Sequence, residues 1–132
     1  MIKKKDKVKF KFNKYNANLN NRIIDDCVAR AISRATGISW ENVVLDLTKL
    51  GIESGYSFNY YEIYKNYLEQ LGWKENKSKD IKVRIKDFIE NNADENKNYI
   101  IRVKGHLTYI KGYTLIDTWN CSYKQIICVW TK

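Results

Sequence analysis

Hydrophobic residues recur along this chain in two rhythms, first every three to four positions and later every two. Val28, Ala31, Ile32 and Ala35 follow Asp26, a good N-cap, at helical spacing, and Gly37 ends the run, which predicts a helix of about ten residues. Ser39 caps a second helix with the stripe Trp40, Val43, Val44 and Leu47, closed by Gly51. A third begins near Asn59, carries Tyr60, Ile63, Tyr64, Tyr67, Leu68 and Leu71 on one face, and stops before Gly72. A shorter fourth, over Val83–Asn91, carries Ile85, Phe88 and Ile89, and the polar stretch Asn91–Asn98 reads as a loop. From Tyr99 the segments YIIRV, HLTYI, YTLIDTW and QIICVW are rich in β-branched and aromatic residues. Lys104-Gly105 and Lys111-Gly112 punctuate the first three, so the second half predicts a strand meander. Helices first and strands second is an α+β layout, N-terminal helices packed on a C-terminal antiparallel β-sheet. The whole chain, residues 1–132, is expected to form one domain.

Composition narrows the setting. No apolar run approaches the roughly 18 residues of a membrane span, and the N-terminus MIKKKDKVKF lacks the apolar core of a signal peptide. Three irregularly spaced cysteines fit a reducing compartment, so a cytoplasmic location with no membrane association is expected. With one histidine and no CxxC, neither a structural metal site nor a cofactor is expected. Of the net charge of +9, residues 1–14 contribute most, through seven lysines and one aspartate. Two readings of that segment stand side by side. One is a basic arm, Lys3–Lys14, that touches an acidic protein or nucleic acid. The other is an edge strand guarded by lysines, since KVKFKF alternates with period two.

The candidate chemistry begins at Cys27. Directly after the N-cap it lies in the first turn of helix one, where unpaired N–H groups and the helix dipole favour a thiolate, the nucleophilic form. The bland alternative is a small buried hydrophobe, the usual fate of a free cysteine. The sole histidine, His106, opens a strand just after Gly105. With Lys111-Gly112 as a two-residue turn, Ile110 pairs with Tyr113 and His106 falls opposite Asp117. A carboxylate across the strand pair orients one imidazole nitrogen and leaves the other for a nucleophile. A His–Asp pair alone is more often an ordinary polar contact. A nucleophile, a base and an orienting carboxylate in one small chain, in the order Cys…His…Asp, make the catalytic reading the sharper one. Cys121 is read as a loop or turn residue and Cys128 as core. Arg30 and Arg34, four apart, read as a solvated or ion-paired helix face.

DDCVARAISRATG, GHLTYI and IDTWNCS together resemble the papain-like cysteine peptidases, and among them a group of small papain-fold proteins of bacteria and phages. The resemblance is one of motif order and spacing over roughly residues 20–130. It implies a papain-like fold, in which a helix bearing the cysteine packs on an antiparallel sheet that supplies the histidine and then Asn or Asp. It implies Cys27, His106 and Asp117 as catalytic triad. Family members place a glutamine about six residues before the cysteine as oxyanion donor; the matching position is Asn21, with Asn20 or Arg22 as alternatives. The Trp that shields the catalytic hydrogen bond in the family corresponds to Trp119. The activity expected is hydrolysis of a peptide, isopeptide or other amide through a thioester, with a peptide or protein as substrate. Acyl transfer to an amine on the same triad is a related expectation. A catalytically silent binding or inhibitor protein, using the same scaffold and the basic arm, is the alternative from a different class.

Overall fold

The computed structural model describes residues 10–78 and 81–132. Most of the lysine-rich arm therefore lies outside the described residues. Its end forms an exposed edge strand, β1 (Lys11–Lys14), which runs parallel to β5 (Thr114–Asp117). The helices are α1 (Cys27–Thr36), α2 (Trp40–Ser54), α3 (Tyr61–Gln70) and α4 (Ile85–Asn91). The remaining strands are β2 (Lys74–Asn76), β3 (Asn98–Val103), β4 (His106–Lys111) and β6 (Ile126–Thr131). The architecture is mixed α+β, a six-stranded sheet in the order β1-β5-β4-β3-β6-β2. Among the described residues no helix is long and apolar enough to cross a membrane.

Helices cover both faces of the sheet. On one face Ile100, Leu107, Tyr109, Ile116 and Trp130 pack against the apolar sides of α1, α2 and α3. On the other, Ile101, Val103, Ile110, Leu115 and Val129 pack against Ile85, Phe88 and Ile89 of α4. Strand alternation sends successive side chains to opposite layers, and both layers are apolar, which is why YIIRV and QIICVW show no polar-apolar alternation. Only β3, β4 and β5 form a meander. The chain then crosses back, and β6 joins the far side of β3.

Two glycines depart from the positions expected of them. Gly51 does not end α2, which continues to Ser54 and stops at Gly55, in the left-handed region with φ 79°. Gly51 is buried inside the helix, at a place where a Cβ would meet the Tyr56 carbonyl oxygen at 2.4 Å. Gly112 sits at the first position of the β4–β5 turn, with φ 61°, and not at the second. A glycine with positive φ at the first central position is one of the two favoured two-residue hairpin solutions. The turn is consequently Gly112-Tyr113, Lys111 pairs with Thr114, and the expected Ile110–Tyr113 pairing is corrected to Ile110–Leu115. Continued along the strands, that register sets Asp117 opposite Thr108 and His106 opposite Trp119. A shift of two residues keeps every side chain on its face, so His106 and Asp117 remain neighbours, diagonally instead of directly.

Candidate active site

Cys27 is the first residue of α1, and its side chain is half-buried. Asp26 occupies the N-cap position, but no side chain caps the helix. The Asp26 carboxylate is turned inward, 2 % exposed, and accepts from Arg30 Nε at 2.7 Å, Trp40 Nε1 at 2.9 Å and Asn18 Nδ2 at 3.1 Å. No side-chain cap competes for the first-turn N–H groups beside Cys27, which leaves them available to an anionic group there.

His106 begins β4, its side chain 8 % exposed. Its Nε2 is 2.6 Å from Asp117 Oδ2, leaving Nδ1 as the ring nitrogen that Asp117 does not engage. Cys27 lines the same cleft as His106, and Cys121 Sγ lies 3.8 Å from the Asp117 oxygen that the imidazole also meets. Burial works against the imidazolium, but the hydrogen bonds with Asp117, Cys121 and Cys27 and the negative charge of Asp117 together push His106 up to about 11.

Asp117, at the end of β5, is the most heavily bonded side chain of the cluster. Thr108 Oγ1 donates to Oδ2 at 2.6 Å, the Thr118 backbone N–H to Oδ1 at 2.6 Å, and an Arg30 guanidinium nitrogen to Oδ1 at 3.1 Å. Burial raises the cost of its charge, yet the hydrogen bonds from His106, Thr108 and Thr118 and the His106 charge hold it below the ordinary 3.8. Trp119 lies against the histidine ring, centroid to centroid 4.9 Å with the planes tilted by 50°.

Of the residues singled out in the sequence, Cys27, His106, Asp117 and Trp119 come together. Asn21 does not join them in the same way. It is exposed, has a positive φ of 54°, and lines neither of the two spaces bordered by Cys27. The same holds for Asn20 and Arg22, which line neither space. Cys128 lies in β6 against the core, its Sγ 4.0 Å from the Tyr61 hydroxyl. Cys121 is in a loop but fully buried, with its Sγ 3.8 Å from Asp117 Oδ2. Arg34 lies over the Tyr15 ring, 5.3 Å from its centroid.

Three participants were not anticipated. Thr108 had a readable signal, since it alternates with His106 on one strand and so shares its face. Arg30 had half of one: its spacing from Asp26 is that of a helical ion pair, but nothing in the sequence connects it to Asp117. Cys121 had none. Donor atoms of His106, Asp117 and Cys121 lie within 4.8 Å of one another, a set that suits a soft divalent ion by type. Both Asp117 oxygens are already occupied by donors and Oδ1 faces the Arg30 cation, so the cluster is closed by hydrogen bonds and opposes a further positive charge.

In front of Cys27 and His106 lies an open cleft of about 250 Å³, lined also by Asp25, Tyr61, Tyr64 and Arg102. A nucleophile at a helix start, an oriented imidazole and an adjoining cleft can together perform acyl chemistry. No family model, curated protein or solved structure matches this chain.

Proposed function

We propose that this protein is a cysteine hydrolase of papain-like type that cleaves an amide through a Cys27 thioester. The observation that carries this reading is the arrangement of the one histidine: Nε2 bonded to a buried carboxylate at 2.6 Å, with Cys27 at an uncapped helix start lining the same cleft. The packing of α1 across β4 is what a papain-like scaffold needs to join these groups. His106, raised to about 11, is held as an imidazolium at neutral pH with Asp117 balancing its charge, and Cys27 acts beside it in the thiolate form that thiol nucleophiles require.

The thiolate attacks the carbonyl carbon, forming the S–C bond, and the oxyanion is received by the Cys27 backbone N–H at the positive end of α1. His106 passes its proton to the departing amine as the C–N bond breaks. Water then gives a proton to His106 while its oxygen attacks the thioester, releasing the acid and restoring the thiolate–imidazolium pair. An amine in place of that water gives acyl transfer by the same steps. Asn21 is the side-chain oxyanion donor that the resemblance implies; since it is exposed, its part requires the loop before α1 to fold inward on substrate.

The test is the pH dependence of Cys27 alkylation by iodoacetamide, with Cys121 and Cys128 as internal references. Fast alkylation is expected well below pH 8, and His106→Ala should slow it. A Cys27 no faster than an ordinary thiol in both proteins would sink the hydrolase reading and turn attention to a binding role.

A further inference from the structure

The cleft beside Cys27 holds a charged residue in a place where strand chemistry calls for an apolar one. Arg102 lies in the middle of the sheet, on β3, opposite Leu107 on β4 and Cys128 on β6. Two residues earlier on the same face, Ile100 is fully buried in the core beneath α1–α3. Arg102 itself is half-buried and lines the cleft together with Cys27 and His106.

Burying part of a guanidinium is costly unless a carboxylate or an equivalent set of acceptors meets it. Among the described residues no carboxylate pairs with Arg102; the ion pairs there are Arg30 with Asp26 and Asp117, Lys86 with Glu90, and His106 with Asp117. What Arg102 does have is the face of Tyr61, whose ring centroid is 4.1 Å from the guanidinium carbon. A cation over an aromatic face is held in position while its edge N–H donors stay free, which suits planar two-point recognition of a carboxylate. Tyr61 is in turn fixed by edge contact with Tyr64 at 5.5 Å, so the platform is rigid. Asp25, exposed and next to Cys27 in the chain, also borders the cleft; it discourages an anion there and directs negative charge to the Arg102 side.

We infer that Arg102 binds a carboxylate of the substrate, so that the cleft selects acidic peptides, by a Glu or Asp side chain or a free C-terminus near the scissile bond. This rests on the hydrolase reading of Cys27 and adds its substrate class. Arg102 is a specificity-determining residue and takes no part in proton transfer.

A ladder of reagents tests it: iodoacetyl-glycine, iodoacetyl-β-alanine and iodoacetyl-γ-aminobutyrate, each against its own carboxamide. The rate of Cys27 alkylation is read by peptide mapping in the full chain. In the wild type at least one carboxylate is expected to react roughly ten-fold faster than its carboxamide, as for a charge-assisted pair, and added salt should shrink the preference. Arg102→Gln should abolish the preference, each carboxylate falling to the rate of its own carboxamide in the same variant, and a cooperative thermal unfolding transition like the wild type's reports that the chain is folded. Arg102→Lys, which keeps the charge but not the fork, should retain only part of it. A wild-type ladder without preference overturns the inference and needs no variant. So does a preference that survives Arg102→Gln, because its source is then the His106 imidazolium. Slow alkylation by every reagent, iodoacetamide included, is a different result: it removes the nucleophile, and this inference with it.

Discussion

The two sides of His106 are built on opposite principles. Behind the ring, Asp117 accepts from His106, Thr108, Thr118 and Arg30, and Arg30 continues the chain of contacts to Asp26 and through it to Trp40 and Asn18. The two carboxylates at the heart of that network, Asp26 and Asp117, are 2 % and 5 % exposed, and each is met by several donors. In front of the ring, Cys27 borders an open cleft and Arg102 has no carboxylate partner among the described residues. The rear satisfies its polar groups with one another and fixes a geometry, whereas the front leaves them open to a ligand. Preorganisation and availability are thus separated by the thickness of one imidazole.

The largest effect is expected where the rear is opened at its centre. Asp117→Asn removes the acceptor that His106 and Arg30 share, leaving a buried guanidinium half paired, and should cost about 3–5 kcal/mol in denaturant unfolding. It should return the His106 titration toward the ordinary 6.5, read directly by proton NMR because the chain has one histidine. Cys27 alkylation at neutral pH should slow a hundred-fold or more, in the range of lost general acid–base assistance. In the wild type the raised His106 contributes stability that is full below about 6.5 and fades as pH rises through about 11. The depressed Asp117 contributes stability that is full above 3.8 and fades as pH falls through its lower folded value. The pair therefore holds across the whole neutral range, and Asp117→Asn should flatten both ends of the stability profile.

Arg30→Gln breaks the same rear network one step further from the ring, and should separate scaffold from chemistry. Asp26 keeps Trp40 and Asn18 as donors, and Asp117 keeps His106, Thr108 and Thr118. A loss of about 2–3 kcal/mol is expected, smaller than for Asp117→Asn, since neither carboxylate is stripped bare. Removing a cation beside Asp117 leaves more of its charge to His106, so the His106 titration, read by proton NMR, should not move to lower pH. An alkylation profile that collapses like that of Asp117→Asn would show that Arg30 sets the geometry of the ring and not only the strength of the scaffold.

The same division explains what could be read in the sequence. Helix faces were legible, because Val28, Ile32, Val43, Leu47, Ile63, Leu68, Ile85 and Ile89 repeat at helical spacing and all are buried, whereas α3 and α4 begin two residues later than expected and Tyr60 is exposed ahead of α3. The two Lys-Gly dipeptides were not equally legible. Lys104-Gly105 forms its turn as written, with Val103 opposite His106, whereas Lys111 stays in β4 and Gly112 opens the next turn with Tyr113. The difference is tertiary: a Cβ at Gly112 would meet the Glu95 carbonyl oxygen at 2.6 Å, a contact with the loop before β3 that no local pattern announces. The His106–Asp117 pairing survived because side-chain direction in a strand has period two. The crossing that brings β6 beside β3, the burial of Cys121 against Asp117 and the reach of Arg30 from α1 to β5 depend on how layers stack, and periodicity within one element carries no information about that.

The smallest effect is expected at the boundary between the two sides, where Trp119 lies against His106 while itself 37 % exposed. Trp119→Ala should cost little stability, about 1 kcal/mol, because much of the indole already faces water. Its consequence is for the dielectric around the Nε2–Oδ2 hydrogen bond. Burial opposes the imidazolium and the Asp117 bond and charge favour it, and together the favourable contributions win. Wetting that face weakens both, so the larger is diminished more and the ring moves part of the way back toward 6.5. The His106 titration, read by proton NMR, should then shift to lower pH, with Cys27 alkylation at neutral pH changed only a few-fold, and Trp119→Phe should restore most of the difference. A His106 titration that stays in place in Trp119→Ala would mean that Thr108, Thr118 and Arg30 already exclude water from Asp117, and Trp119 would then belong to the front side, as part of the rim that a substrate touches.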